Sequence, residues 1–343
     1  MARNISILDA TLRDGGQGLE DLYSNGFTNK YYTIENKQKL INLLSDSNVE
    51  IIELGAIGPS SDDKSKFAIY QNIEELSKYI PLNRKSATMY VGLYIGPDTN
   101  MDDIPNWNPS LVEGVRVIIR YSELQKSLDY CCALAKKGYK VFVQPMLTMR
   151  YTNKELDLII DAANQMGAFA CYFVDSYGYM CEYDVKYMFD YFDNSLNSDI
   201  KIGFHAHNNM TLAYSNALSF VNMNTNRDLI VDSCLIGMGQ GAGNLQTELL
   251  VPYINRQFGK TYNYDSILDA CDYLDKEMIY HNLWGYSVTH LLPSIYKTAY
   301  KYAYIMRYKY NMSFRDINKI LRDMPDSMRN RYSIDSIIQL LHR

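Results

Sequence analysis

Residues 199–209 read Asp199-Ile200-Lys201-Ile202-Gly203-Phe204-His205-Ala206-His207-Asn208-Asn209. A short apolar run leads into two of the chain's five histidines, spaced by one residue. In a strand, residues i and i+2 project from the same face. A strand ending here would hold His205 and His207 side by side, in a geometry that can chelate, and neutral imidazole is the commonest metal ligand. Two neighbouring surface or core histidines would leave the same three letters, so the rest of the chain decides.

Working outward, the same grammar recurs. Apolar runs at 5–11, 49–55, 88–95, 114–120, 139–145 and 168–175 precede the histidine strand, and another at 229–236 follows it. Helical spacing fills the intervals at 33–47, 69–79, 122–137, 152–166, 183–192 and 212–221, with a further helix from 247. Thr152 with Glu155 reads as a capping box. Eight strands alternating with helices over about 255 residues predict parallel βαβ units closed into a (β/α)8 TIM barrel. An open doubly wound sheet is the alternative. Three glycines in Leu12-Arg13-Asp14-Gly15-Gly16-Gln17-Gly18 predict a loop after the first strand. From about 260 the pattern is all helical, at 266–278, 288–310, 314–322 and 334–342. The division expected is a barrel over 1–258 and a C-terminal all-helical extension over 259–343.

Composition narrows the function classes. A net charge of −5 gives no basic stripe for nucleic acid. No run of 18 apolar residues predicts a membrane span, and no leader-like segment opens the chain. Cys131, Cys132, Cys171, Cys181, Cys234 and Cys271 form no Cys-x-x-Cys pair and read as reduced thiols of a cytoplasmic protein, not a cysteine-based zinc site. The 31 tyrosines carry no functional weight by themselves.

In a (β/α)8 barrel, chemistry sits at the C-terminal ends of the strands. The polar residues found there are Arg13 and Asp14 after strand 1, Glu53 at the end of strand 2, Gln144 after strand 5, Asp175 and Ser176 after strand 6, the histidine pair after strand 7, and Asn244 after strand 8. Strands 1 and 7 are separated only by strand 8, so Asp14 can meet His205 and His207 across the mouth. One carboxylate and two imidazoles are a common divalent-metal set that leaves positions for substrate and water, and non-haem iron uses the same set. Arg13 suits a substrate carboxylate or a developing enolate, or else an internal salt bridge. Asp175 is either a partner of a metal histidine or a helix cap. Glu53 either positions a base or is a buried, paired carboxylate. Cys234 reads as a core residue, and His281, His290 and His342 have no matching partner. Residues 237–243 lack the lysine of a P-loop and read as a tight turn bringing Asn244 toward the metal.

The blocks 9–16 (Asp9-Ala10-Thr11-Leu12-Arg13-Asp14-Gly15-Gly16), Val174-Asp175-Ser176, Gly203-Phe204-His205-Ala206-His207-Asn208-Asn209 and 237–248, taken in this order, resemble the DRE-TIM metallolyase superfamily. That superfamily includes HMG-CoA lyase, isopropylmalate synthase and 4-hydroxy-2-oxovalerate aldolase. Trp284-Gly285-Tyr286-Ser287 is most similar to the aldolase-related branch. The resemblance implies a barrel with Mn2+ or Mg2+, Zn2+ being less suited, held by Asp14, His205 and His207 with Asn244 as a further ligand or near neighbour. It implies Arg13 as the enolate-stabilising arginine, Ser176 as a substrate contact beside Gln144, and Tyr286 as a candidate acid. The activity implied is cleavage of a 4-hydroxy-2-oxo acid to pyruvate and an aldehyde. A Claisen condensation of an acyl-CoA with a 2-oxo acid, and a non-catalytic assembly subunit, are the alternatives. Relatives carry a proton-transferring histidine shortly after Arg-Asp-Gly, where this chain has Gly16-Gln17-Gly18. The strand 8 loop lacks the cysteine of the HMG-CoA lyase branch. By the same resemblance the C-terminal helices would dock an aldehyde dehydrogenase or a second copy of the chain.

Overall fold

The computed structural model describes residues 4–279 and 283–341. His281 and His342 lie outside the described residues. Among the described residues nine strands occur in chain order: β1 Ile5–Asp9, β2 Ile51–Ile57, β3 Ile69–Tyr70, β4 Met89–Tyr94, β5 Gly114–Ile119, β6 Lys140–Pro145, β7 Ala170–Asp175, β8 Lys201–Ala206 and β9 Leu229–Ser233. All the pairings are parallel. β1 pairs with β9 (Ile5 opposite Leu229) and also with β2 (Leu8 opposite Ile51). That second pairing closes the sheet into an eight-stranded barrel and removes the open-sheet alternative. The two-residue β3 hangs on the end of β2 outside the closed ring.

Three local expectations are corrected. The region 69–79 is not one helix: Ile69 and Tyr70 extend the sheet. A short helix Ile73–Ser77 then starts because the Asn72 side chain accepts from the Glu75 amide. The glycine-rich segment after β1 is not a loop but the start of a helix, Arg13–Ser24. Its glycines serve close approach: a Cβ on Gly16 would overlap the Phe67 carbonyl, and one on Gly18 the Gly239 carbonyl. Two neighbouring segments therefore press directly on this helix and hold its first turn at the barrel mouth. In the tail, the single helix expected over 288–310 breaks into Val288–Ile295 and Lys301–Tyr308, with Lys297 between them at φ +52°. The capping box at Thr152 forms as expected, each partner receiving the other's amide.

The strands bury nearly every side chain, as two-sided parallel strands must. The interior also holds ions. Arg116 of β5, Glu53 of β2 and Asp232 of β9 are buried in the middle of otherwise apolar strands. Tyr172 of β7 lies under the Arg116 guanidinium, its ring centroid 4.7 Å away. Gly203 of β8 makes room for that ring, since a Cβ there would overlap it. Hydrophobic side chains up to Trp284 belong to the barrel's core. A second cluster, centred on Leu292, Tyr302, Met306, Ile317, Leu321 and Ile337, is built by the tail alone. Among the described residues, no helix is long and apolar enough to cross a membrane.

Candidate metal centre and its cavity

β8 delivers His205 as its penultimate residue, and His207 follows one residue past its end. The first turn of Arg13–Ser24 delivers Asp14 from the opposite side of β9. The three meet. His205 Nε2 lies 3.4 Å and His207 Nε2 3.7 Å from Asp14 Oδ2. One ligand atom from each residue falls within 4.8 Å of the others. Neighbouring ligands of a six-coordinate Mg2+-sized ion sit about 3 Å apart, so the set would draw together by up to about an ångström or more to close on one.

The imidazoles are aimed by what holds their other nitrogens. His207 Nδ1 lies 3.1 Å from the Asp175 carbonyl, which only accepts, so Nδ1 carries the proton. His205 Nδ1 lies 2.9 Å from the Asp232 carboxylate and donates to it. As neutral imidazoles, both would turn an Nε2 lone pair toward the Asp14 carboxylate. Without a cation this arrangement sets three electron-rich atoms against one another; with one it is a ligand set. Asn244 supplies a further sign. Its Nδ2 donates to Asp14 Oδ2 at 2.6 Å and to the Met238 carbonyl at 2.9 Å. Its Oδ1 is buried and has no hydrogen-bond partner among the described residues. A buried, unpaired acceptor is costly unless something satisfies it, and a divalent cation would.

The loop that brings Asn244 here is the tight turn expected. Gly237, Gly241 and Gly243 have φ of +70°, +65° and +86°, a region that favours glycine. The turn closes through the Asn244 amide to the Gly237 carbonyl at 3.0 Å. Trp284 fastens it from outside, its Nε1 donating to the Gly239 carbonyl at 2.5 Å.

A buried ionic chain supports the centre. Arg13 Nη1 contacts Asp14 Oδ1 at 2.8 Å, and its Nε donates to Glu53 Oε2 at 2.7 Å. Arg116 Nη1 shares that same Glu53 oxygen at 3.0 Å, and Arg116 Nη2 donates to Asp232. Asp232 returns to His205. Glu53 is thus mid-strand, not at a strand end, and is the paired carboxylate of the two readings. Three carboxylates and two guanidiniums leave a formal charge of −1, which invites a cation.

In the metal-free protein the protonation directions follow from burial and these contacts. Burial opposes the charge on Asp14, but Arg13 and the two histidines hold its carboxyl far below the usual range. Burial likewise opposes Asp232, and Arg116 and His205 outweigh it, again downward. Burial lowers His207 to about 4, against the pull of Asp14, so this imidazole is neutral at pH 7. Burial would lower His205 too, yet hydrogen bonding to Asp14 and Asp232 raises it, so in the metal-free protein a proton on Nε2 relieves the repulsion toward Asp14 that a bound cation would otherwise relieve. Asp175 is pushed up to about 7 by burial, partly offset by the Tyr179 and Met180 amides its side chain accepts. Its carbonyl orients His207, while its carboxyl accepts within a turn and is not a helix cap, since the next helix starts at Glu182 behind Cys181.

Above the centre lies a cavity of about 490 Å³. Arg13, Asp14, Gln144, Ser176, His205 and His207 all line it. Gln144 Oε1 and Arg13 Nη2 are buried there without partners among the described residues. Ser176 Oγ accepts from the Leu147 amide at 2.8 Å. Tyr286 is not brought to the site: it is absent from the cavity wall and is 60% exposed. The missed residues are Asp232, Arg116, Tyr121, Asn330 and Arg331. The first two were visible as lone charges in apolar strands, Val231-Asp232-Ser233 and Val115-Arg116-Val117. The last two come from the tail, and nothing local in the sequence points them at the mouth.

A family model described as HMGL-like matches residues 4–274. The chain belongs to the HMGL-like family. This places it in the DRE-TIM metallolyase superfamily. Among curated relatives of this HMGL-like chain, the 4-hydroxy-2-oxovalerate aldolase of Geobacillus genomosp. 3 is 28% identical over 276 residues, covering 79% of this chain and 76% of that one. The 4-hydroxy-2-oxovalerate aldolase 2 of Comamonas testosteroni is 28% identical over 252 residues, covering 73% and 68%. Among solved structures, the N-terminal domain of a candidate aldolase from Bacteroides vulgatus superposes with a TM-score of 0.72 at 21% identity, covering 91% of this chain and 99% of that one. An HMG-CoA lyase from Brucella melitensis does so at 0.62 and 16%, covering 80% and 98%. The two solved structures bear on the fold alone.

Proposed function

We propose that this chain is a divalent-metal-dependent aldolase that cleaves a 4-hydroxy-2-oxo acid to pyruvate and an aldehyde. The observation that carries the reading is the convergence of Asp14, His205 and His207 beneath an open cavity. The names of the curated relatives support it. Asp14, His205, His207 and Asn244 would hold the ion, and Mn2+ or Mg2+ suits a set containing a carboxylate and a carboxamide oxygen better than Zn2+. When bound, the ion supplies Lewis-acid stabilisation of negative charge on the substrate's keto oxygen.

The chain's own groups do the rest. Loss of the proton from the 4-hydroxyl lets the C3–C4 bond break, and the electron pair moves toward the C2 oxygen. Arg13 is fixed by Asp14 and Glu53, and its Nη2 is the donor left for that oxygen. Such a donor needs no reorganisation as charge develops. Gln144 and Ser176, which line the cavity, would orient the 2-oxo acid. For proton transfer, Tyr121 replaces Tyr286 as the candidate. Two phenols line the cavity, and the Tyr177 hydroxyl is committed to the Arg329 and Asn330 carbonyls at 3.1 and 3.2 Å.

The same proposal includes a catalytic unit over 1–258, a helical unit over 259–343 that docks a second copy or an aldehyde dehydrogenase, and residence in the cytoplasm. The packing of side chains up to Trp284 on the barrel argues for a later border between the units. The test is exchange of pyruvate methyl protons in deuterium oxide, followed by NMR with Mg2+ present. Exchange that vanishes in His207→Ala supports the reading, and exchange that persists at the wild-type rate refutes it.

A further inference from the structure

The tail completes the cavity. The Tyr302 hydroxyl donates to the Met328 and Arg331 carbonyls at 3.0 and 3.1 Å, and Tyr177 of the barrel holds the two carbonyls between them. The segment 328–331 is thus pinned from both sides, and Asn330 and Arg331 enter the cavity wall.

Three arginines line this cavity, and two are neutralised. Arg13 is paired with Asp14 and Glu53, and Arg120 with Asp98 and Glu123. Arg331 has no acidic partner among the described residues. Beside it, the Asn330 amide is oriented: Arg150 Nη1 donates to its Oδ1, which leaves the NH2 as the open half. The wall between the polar groups is apolar, with Ile95, Ile118, Met146 and Leu147. A volume of about 490 Å³ is well above the needs of a five-carbon acid. Charge at the floor is also used up. A divalent ion on the network of −1, plus one substrate carboxylate, comes to zero.

We infer that the substrate carries a second anionic group, a carboxylate or phosphate, on the part that leaves as the aldehyde, and that Arg331 with the Asn330 amide reads it. This rests on the proposed aldolase reaction for its two substrate ends. A guanidinium presents paired donors that match both anions. Cleavage then yields pyruvate and an aldehyde that keeps the second anion, with the hydroxyl proton passed to the base and the bond's electron pair to the pyruvate half.

The experiment is calorimetry on the Mn2+-loaded protein with two five-carbon ligands, 2-oxoglutarate and 2-oxopentanoate, which differ only in a terminal carboxylate against a methyl. A 2-oxo acid phosphorylated at C5 forms a third arm that tells phosphate from carboxylate. One charged hydrogen-bonded contact predicts an affinity for an anionic ligand about tenfold or more above the neutral one. The ratio should collapse to within about threefold in Arg331→Gln and fall only partway in Arg331→Lys, which keeps the charge but loses the paired donors. Arg315→Gln, an exposed tail arginine outside the cavity wall, should leave it unchanged. Equal affinities in the wild type, or a ratio unmoved by Arg331→Gln, overturn the inference. Wild-type pyruvate deuterium exchange is read in parallel. Its loss with the diacid preference intact counts against the aldolase reaction and not against Arg331.

Discussion

Asp232 touches no substrate, yet the geometry makes it decisive for the metal. Its Oδ2 accepts from His205 Nδ1 at 2.9 Å and from Arg116, and the same residue is 2% exposed. Asp232→Asn keeps the shape but removes one negative charge. The carboxylate that fixes the His205 tautomer is gone, and an amide can present its NH2 to Nδ1, turning the proton to Nε2, where the ion should sit. Loss of such an orienting partner costs about 10–100-fold in metal affinity, or about 1.4–2.7 kcal/mol. The network's formal charge rises from −1 to 0, which adds to the loss. Arg116 keeps Glu53 but loses its other carboxylate, and a broken buried pair costs about 3–5 kcal/mol of folding stability. Two assays separate the effects: Mn2+ titration at pH 7.5 for affinity, and urea unfolding of the metal-free protein for stability. An Asp232→Asn protein that folds and still binds Mn2+ within about threefold of the wild type would show that Asp232 does not orient His205 for the metal.

Other outcomes follow from the same contacts. His207 is held near 4 by burial, so the unfolded chain takes up a proton at higher pH than the folded chain does. Its contribution is present above about pH 6.5 and is lost as pH falls toward 4. Between pH 6.5 and 4.5 the metal-free wild type should therefore lose about 2–3 kcal/mol relative to His207→Gln in urea melts, and parallel curves would contradict this. Tyr121→Phe should lower kcat for aldol cleavage by about 100-fold while Tyr286→Phe stays within twofold; the reverse pattern would restore Tyr286 as the acid. Gly16→Ala should destabilise by about 1–3 kcal/mol because its Cβ overlaps the Phe67 carbonyl, although helix propensity alone predicts a gain of about 1 kcal/mol. A rise in melting temperature would show that the helix does not sit against that carbonyl.

The barrel was legible because each buried strand announces itself as an apolar run and ends in polar residues. The meeting of Asp14 with the histidines followed from strand order. The helix at Arg13 was not legible, since Gly15, Gly16 and Gly18 look like loop residues until the Phe67 and Gly239 backbones that press on them are known. Glu53 was misplaced because β2 continues to Ile57, past the point where a charge seemed to end it. Asp232 and Arg116 were overlooked though a charge inside an apolar strand needs a partner. Tyr286 followed a resemblance in a segment whose local role is different: Trp284 beside it clamps the glycine turn, and Tyr286 faces outward. Asn330 and Arg331 reach the cavity through the tail's own packing, which no local pattern encodes.

The most direct measurement is Mn2+ stoichiometry and affinity, by calorimetry or electron paramagnetic resonance, on the wild type, Asp14→Asn and His205→Ala/His207→Ala. One ion per chain is expected in the wild type and none retained at micromolar metal in either variant. Full binding by the double histidine variant would contradict it.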